Sequence, residues 1–316
     1  MPLLAPGHTI IPDLSVVILN WNACDYLVDA LQSIVRQEWQ HTIEVIVVDN
    51  YSTIDDSVET VQRDFPMVNL IAHDRNIGFS GGNNLGYHAA RGRHILFLNP
   101  DTVVHDYALD ILADWMDAHP NVGACGPKLL NPDGSLQPSC RAFPSIGAGF
   151  FRNTFLGRLF PNNPWTRSYL MLGFSHEKEA EVDWLSGSAL WVRREAYEQV
   201  GGWDEDYFMY CEDVDLCYRL KEASWKRCYV PQAIITHRIG GSSDWAQGAM
   251  IRQHHGSMLL FFRKHYAHGL KILLLPIATV GIGLRALGAV IKLYRSYFRN
   301  GIPIPKRSHA RKPPVP

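Results

Sequence analysis

Residues 210–220, YCEDVDLCYRL, set three carboxylates among apolar and aromatic neighbours. Read as a helix, positions 213 and 215 project about 200° apart, so the two aspartates cannot serve one site. Asp215 has Arg219 four residues on, the spacing of an intrahelical ion pair. Asp213 meets Leu216 and Cys217 at the same offsets and has no local partner, which leaves its carboxylate for chemistry outside its own helix. A further acid stands in FLNPDT, where Pro100 biases Asn99 to an extended backbone, so that Asp101 sits where a strand leaves its sheet. A carboxylate there can hold a hard divalent cation whose other ligands are phosphate oxygens. A helix cap shared with Thr102 is its plainer role.

The elements that must position these residues are legible from Leu14 to Leu130 as short apolar runs alternating with amphipathic stretches. Strands are expected at Ser15–Leu19, Glu44–Val48, Val68–His73, His94–Leu98 and Val122–Lys128. Helices are expected near Tyr26–Gln37, Ser57–Phe65, Gly82–Arg91 and Asp106–His119. Strand and helix in alternation at this spacing specify an α/β fold, a mostly parallel sheet covered on both faces. Ligands of such sheets bind beyond the carboxyl ends of the strands. Those ends carry Asn20 and Asn22, then Asp49 and Asn50, then Arg75 and Asn76, then Asn99 and Asp101. One such residue is ordinary turn chemistry; four strand ends lined this way point to a common cleft.

The segment DRNIGFSGGNNLG, residues 74–86, reads as a generic phosphate or ribose contact. Its glycines at 78, 81, 82 and 86 do not form GxGxxG, and it follows the third strand rather than the first, which disfavours a nicotinamide site. LNWNACDYL offers no basic phosphate loop, which disfavours a nucleotidyltransferase. Residues 131–180, rich in Pro, Gly, Phe and Arg, read as an irregular insertion, after which strand and helix return.

A content of 47% hydrophobic and 19% charged residues in 316 fits a globular chain with a substantial core. The formal charge of -1 hides a division. Residues 246–316 carry twelve Lys or Arg and no acid, leaving 18 basic and 31 acidic side chains in the rest. That tail is expected to meet an anionic membrane surface, and no nucleic-acid partner is expected. Within it the apolar run Ile272–Leu284 is thirteen residues, short of the ~20 that span a bilayer, and extending it buries Arg285. Helices lying in the membrane interface are therefore favoured over a spanning segment, a core helix or a dimer contact. A helix is expected from Trp245 to about His265, and the proline-rich residues 301–316 are expected to be disordered. Six cysteines without a CxxC pair suggest a reducing compartment, and the N-terminus shows no basic stretch of the kind that begins a signal peptide.

SVVILNWN, VVDNYST, DRNIGFSGGNNLG, FLNPDT, WLSGSALWVRREAYEQVGGWDEDYFMYCEDVDLCYRL and ITHRIGG occur in a characteristic order and spacing. In them the chain resembles inverting family 2 glycosyltransferases of the GT-A fold, in particular the rhamnosyltransferase-type branch, over roughly residues 14–245. The resemblance implies a GT-A domain over 1–245, followed by a basic helical membrane-associating region over 246–300. It implies a nucleotide-sugar donor, dTDP- or UDP-linked, with L-rhamnose from dTDP-L-rhamnose favoured. The acceptor would be lipid-linked or a polysaccharide, in cell-envelope glycan synthesis at the cytoplasmic face of the membrane. Another UDP-, dTDP- or GDP-sugar, or a non-catalytic binding scaffold, stays open, as does a homo-oligomer.

By the same resemblance Asn20 and Asp49 cradle the nucleoside, Arg75, Asn76 and Gly78 lie by the nucleoside and phosphates, and Asp101 with His237 holds Mg²⁺ or Mn²⁺ on the diphosphate. Asn99 stands where many relatives have the first carboxylate of DxD, which puts the strength of metal binding in question. Asp213 corresponds to the catalytic base, Glu212 orients acceptor or base, and Trp184, Ser186 and Gly187 line the acceptor pocket.

Overall fold

The computed structural model describes residues 3–7, 9–153, 156–238 and 247–300. The first half alternates as its pattern requires: β1 (Leu14–Asn20), α1 (Cys24–Val35), β2 (Ile43–Asp49), α2 (Ser57–Asp64), β3 (Asn69–Ala72), α3 (Gly78–Ala89) and β4 (His94–Leu98). A short β5 (Thr102–Val104), α4 (Ala108–Ala118) and β6 (Val122–Leu130) follow. The stretch expected to be irregular holds small elements instead: β7 (Leu136–Gln137), β8 (Cys140–Arg141), α5 (Ile146–Asn153), α6 (Leu156–Leu159), α7 (Pro164–Leu170) and β9 (Ala180–Glu181). Then come β10 (Trp184–Leu185), β11 (Ala189–Arg193), α8 (Arg194–Gln199), α9 (Glu212–Glu222) and β12 (Lys226–His237). The chain ends in α10 (Gln247–His265), a 3-10 turn over Gly269–Leu274, and α11 (Leu275–Asn300). Trp245 and residues 301–316 lie outside the described residues.

The main sheet runs β3-β2-β1-β4-β11-β6-β12-β5. The first four strands are mutually parallel, β11 lies antiparallel between β4 and β6, and β12 runs parallel to β6. Chain order reverses between β1 and β4, which opens a crevice at their carboxyl ends. The strands are mostly apolar because both faces are covered, with polar residues such as Ser15 and Glu44 near their starts and Asn20 and Asp49 at their ends. Val16 and Ile18 of β1 pack with Leu27, Leu31 and Leu112 on one face, and Val17 packs with Phe97, Leu190 and Leu216 on the other. Each such side chain contributes about 1.5–3 kcal/mol by leaving water.

Helix α3 begins four residues earlier than its sequence suggests, since glycine is a poor helix former. Packing overrides propensity here. A Cβ on Gly82 would lie 2.3 Å from Leu19 Cδ1, and one on Gly86 2.4 Å from Val17 Cγ1. The glycines let the helix lie directly on β1.

Helix α10 docks on the body of the molecule, a contact that the charge pattern did not reveal. Phe261 is buried against Tyr207 and Val214, Ser257 Oγ donates to Met209 O at 2.8 Å, and His265 Nε2 meets Asp215 Oδ1 at 2.6 Å. The tail beyond it differs. Gly269–Ser296 has mean hydropathy 1.9 with none of its apolar window buried, and by length and composition it could cross a bilayer. Leu270, Leu273, Ile277, Val280, Leu284, Leu287, Ile291 and Tyr294 are all exposed and recur every three or four residues, forming one stripe.

Candidate active site

On one flank of the crevice the ends of β1 and β2 are bonded to each other. Asn20 Nδ2 donates to Asp49 Oδ1 at 2.9 Å. Ser52 wraps the same carboxylate, its Oγ reaching Oδ1 at 2.6 Å and its N–H reaching Oδ2 at 2.9 Å. Asn22 N–H then donates to Ser52 Oγ at 2.8 Å. Asn20 Oδ1, fully buried, accepts nothing among the described residues and is a free acceptor for a ligand N–H. Next to it Asn50 fixes the glycine loop, donating to Asn76 Oδ1 and Gly78 O at 3.1 Å each while its own Oδ1 accepts from Ile77 N–H.

Asn76 Oδ1 also accepts from Gly78 N–H at 2.9 Å, so this amide oxygen shapes the loop rather than standing open to a ligand. Gly78 has φ +81°, and a Cβ there would meet Phe208 O at 2.6 Å. Only glycine suits that position. Arg75 is exposed at the loop's rim. Asn50 was expected among the polar strand ends, whereas Ser52 was missed although, three residues after Asp49, it carries a turn signal.

The opposite flank is built on the turn after β4. Asp101 is 4% exposed, and its Oδ1 accepts no hydrogen bond among the described residues although His237 Nε2 lies 3.3 Å away. The other ring nitrogen, His237 Nδ1, lies 2.7 Å from Gln137 Oε1. A separation of 3.3 Å is close to that of two neighbouring ligands on one cation with bonds of about 2.1 Å. The buried carboxylate and imidazole thus fit a hard divalent ion that draws its other ligands from phosphate. Among the described residues no cluster of three acidic, His or Cys ligands exists. Asn99, half-buried, binds Ser188 O through its N–H at 2.9 Å and so joins this turn to the WLSGS segment.

That segment carries the third part. Gly187 N–H donates to Asp213 Oδ2 at 3.1 Å, and Val214 N–H donates to Oδ1 at 2.8 Å. Asp213, half-buried at the N-terminus of α9, is thereby joined through Gly187 and the Asn99 N–H to Ser188 O bond to the turn that carries Asp101. Tyr210 and Cys211, which lead into the helix, have φ of 70° and 65°, an unusual pair of left-handed non-glycine residues. Burial raises the Asp213 pKa above the ordinary aspartate value, with the amides of Gly187 and Val214 working against it. A carboxylate so placed is a stronger base than one in water.

Glu212 is buried with Oε2 unbonded among the described residues, and burial followed by the neighbouring Asp213 charge pushes its pKa well up. Asp215 faces the other way. Burial raises its pKa, but the bonds from His265 and Arg219 outweigh burial and leave it lowered. Ser186 Oγ pairs with Ser188 Oγ at 2.9 Å, and half-buried Trp184 spends its N–H on Ala142 O at 3.0 Å, so its indole serves packing first.

Residues 12–256 match the profile described as glycosyltransferase like family 2. The chain belongs to that family. The enzyme is 36% identical over 239 residues to an N-acetylglucosaminyl-diphospho-decaprenol L-rhamnosyltransferase of Mycobacterium tuberculosis, covering 72% of this chain and 77% of that one. It is 32% identical over 169 residues to the rhamnosyltransferase WbbL of Escherichia coli, covering 51% and 60%. Among solved structures it resembles a Pyrobaculum calidifontis mannosyltransferase in complex with GDP-Man and Mn²⁺, with TM-score 0.56, 18% identity and 95% and 85% coverage. It also resembles GalNAc-T7 with UDP, GalNAc and Mn²⁺, with TM-score 0.56, 15% identity, 73% of this chain and under half, 44%, of that one. This family 2 glycosyltransferase thus has the GT-A fold expected from its motifs.

Proposed function

We propose that this glycosyltransferase inverts configuration as it moves L-rhamnose from dTDP-L-rhamnose to a lipid-linked or polysaccharide acceptor of the cell envelope, at the cytoplasmic face of the membrane. The observation that carries the reaction is the link from Asp213 through Gly187, Ser188 and Asn99 to Asp101, which sets a base and a diphosphate-binding acid across one crevice. The choice of sugar and acceptor is supported by the mycobacterial relative, whose name specifies an L-rhamnosyltransferase acting on a diphospho-decaprenol acceptor.

In this reading the nucleoside lies against Asn20 and Asp49, with the free Asn20 Oδ1 accepting from the base. Arg75, at the rim, reaches the phosphates, and Gly78 lets the loop approach them. Asp101 and His237 would hold Mg²⁺ or Mn²⁺, which supplies positive charge for the departing diphosphate. An acceptor hydroxyl oriented by Glu212, Ser186 and Trp184 attacks the anomeric carbon. Its proton passes to an Asp213 oxygen as the carbon–oxygen bond to the diphosphate breaks on the opposite face. Neither Gly187 nor Val214 gives up its bond to Asp213 when the proton arrives, since each carboxylate oxygen keeps a second lone pair.

The exposed stripe over the 3-10 turn and α11, with Lys271, Arg285, Lys292 and Arg295 and no acid, supports attachment to anionic lipid. Residues 1–265, which include the docked α10, form the catalytic body in this reading, and 269–300 form the attachment.

The test is a panel of dTDP-, UDP- and GDP-sugars offered with a polyprenyl-diphosphate-linked N-acetylglucosamine acceptor, with Mn²⁺, Mg²⁺ or EDTA. Rhamnosyl transfer from dTDP-L-rhamnose is the expected result. Turnover of a different nucleotide sugar alone would replace the donor assignment, and donor binding without any turnover would favour a scaffold.

A further inference from the structure

The acid and the imidazole at the ends of β4 and β12 leave one question, which is where the imidazole keeps its proton. The answer lies outside the crevice, in the hairpin between β6 and β7. Gln137 is buried opposite Leu129 and contacts His237 across 100 residues of sequence. Its Nε2 donates to Asn131 Oδ1 at 2.9 Å and to the His237 carbonyl at 3.1 Å. Both N–H groups are thereby committed, and the remaining amide atom, Oε1, can only accept.

The direction of these bonds is fixed from the far end. Asp133, exposed in the turn, is an obligate acceptor when ionised, and the Ser135 hydroxyl donates to it at 2.6 Å. With its proton so used, Ser135 Oγ accepts from Asn131 Nδ2 at 2.9 Å. Asn131 then presents Oδ1 to Gln137, and Gln137 presents Oε1 to His237. Each bond allows only one sense for the next. The Ser135 hydroxyl also holds the Asp133 pKa below the ordinary value, which keeps the terminal acceptor charged.

We propose that the turn over 131–135 and Gln137 form a one-way hydrogen-bond relay that puts the His237 proton on Nδ1, leaving the Nε2 lone pair aimed at the cation site beside Asp101. Gln137 is thus a positioning residue that acts through His237. The relay explains why two acceptors, Nε2 and Asp101 Oδ1, face each other at 3.3 Å in a nearly dry site. Two lone pairs so close repel unless positive charge lies by them. The proposal rests on the reading of Asp101 and His237 as cation ligands, and its test separates the two.

Long-range proton–nitrogen NMR of the full-length protein, with labelled histidine at about pH 8, where an ordinary imidazole is neutral, reads the tautomer without metal. A protonated Nδ1 and bare Nε2 at His237 are expected. A proton on Nε2, or on both nitrogens, overturns the relay. Calorimetric titration of Mn²⁺ into protein saturated with dTDP reads the consequence. Gln137→Leu is expected to weaken Mn²⁺ about 10- to 100-fold, with dTDP affinity in EDTA unchanged. Asp133→Asn, at an exposed position that spares folding, is expected to weaken Mn²⁺ by a few-fold. Wild-type Mn²⁺ affinity in a folded Gln137→Leu protein overturns the proposal. Absence of Mn²⁺ uptake by the wild type overturns the cation reading beneath it, and the NMR spectrum still judges the relay.

Discussion

The two flanks of the crevice handle polarity differently. On the flank of Asn20, the side chains of Asn20, Asp49 and Ser52, and those of Asn50 and Asn76, bind one another and leave Asn20 Oδ1 as the one buried atom among them without a donor among the described residues, so most of this surface is shaped before any ligand arrives. Across from it, Asp101 Oδ1 and Glu212 Oε2 are buried without a donor among the described residues. Buried polar atoms are normally satisfied, because leaving one bare costs about 1–3 kcal/mol. The difference separates a preformed mould from charge held in reserve. The first selects a ligand by fit, and the second is stabilised only when ligand, cation or proton arrives.

Substitutions on the reserve side should therefore cost catalysis while sparing nucleoside binding. The largest effect is expected for Asp213→Asn, whose amide oxygen can accept only one of the two bonds from the Gly187 and Val214 N–H groups and whose NH2 cannot act as a base. Initial rates of transfer should fall by about 10² to 10⁴, with donor affinity by calorimetry within twofold. Unchanged turnover would take the base role from Asp213. Asp101→Ala should lower turnover by about 10² and abolish the Mn²⁺-dependent part of dTDP affinity, leaving thymidine binding as it was. If thymidine binding falls in parallel, the two flanks are one unit and the contrast is lost.

Asp215 and Glu212, three residues apart on α9, extend the comparison to stability. Asp215→Ala leaves Arg219 and His265 without their buried partner and should cost about 3–5 kcal/mol in urea unfolding. Because the folded Asp215 pKa is lowered, its contribution is complete above the unfolded value and fades as pH falls through the folded one. The variant should accordingly show a flatter acid limb. Glu212 has the opposite sign. Its raised folded pKa gives stability at low pH that is lost as pH climbs through that value. Glu212→Gln should raise the Tm by a few degrees at alkaline pH, with the gain shrinking toward acid. A gain that is constant with pH would show that Glu212 is not held protonated.

The sequence carried the contrast unevenly. The strands of the first half were readable because doubly covered strands carry near-continuous apolar runs, and Pro100 located the turn that bears Asp101. Asp213 was separable from Asp215 by helix geometry alone. Helix α3 was read short because the glycines that weaken it are required by its contact with Leu19 and Val17, a tertiary demand invisible to local propensity. Gln137 gave no signal at all, since its partner lies 100 residues away. His265 was hidden similarly. Its tie to Asp215 spans 50 residues, and the Arg219 spacing already explained that aspartate.

The clasp between His265 and Asp215 also decides where the chain can be trimmed. The family profile stops at residue 256, inside α10 and before His265. A fragment ending there would strip a neighbour from the helix that presents Asp213, and is expected to turn over sluggishly for reasons unrelated to lipid. Ending after His268 keeps the clasp but sheds both the greasy stripe and the packing of α11 on α10, so only a difference from the full chain that appears on adding lipid vesicles is assigned to the bilayer.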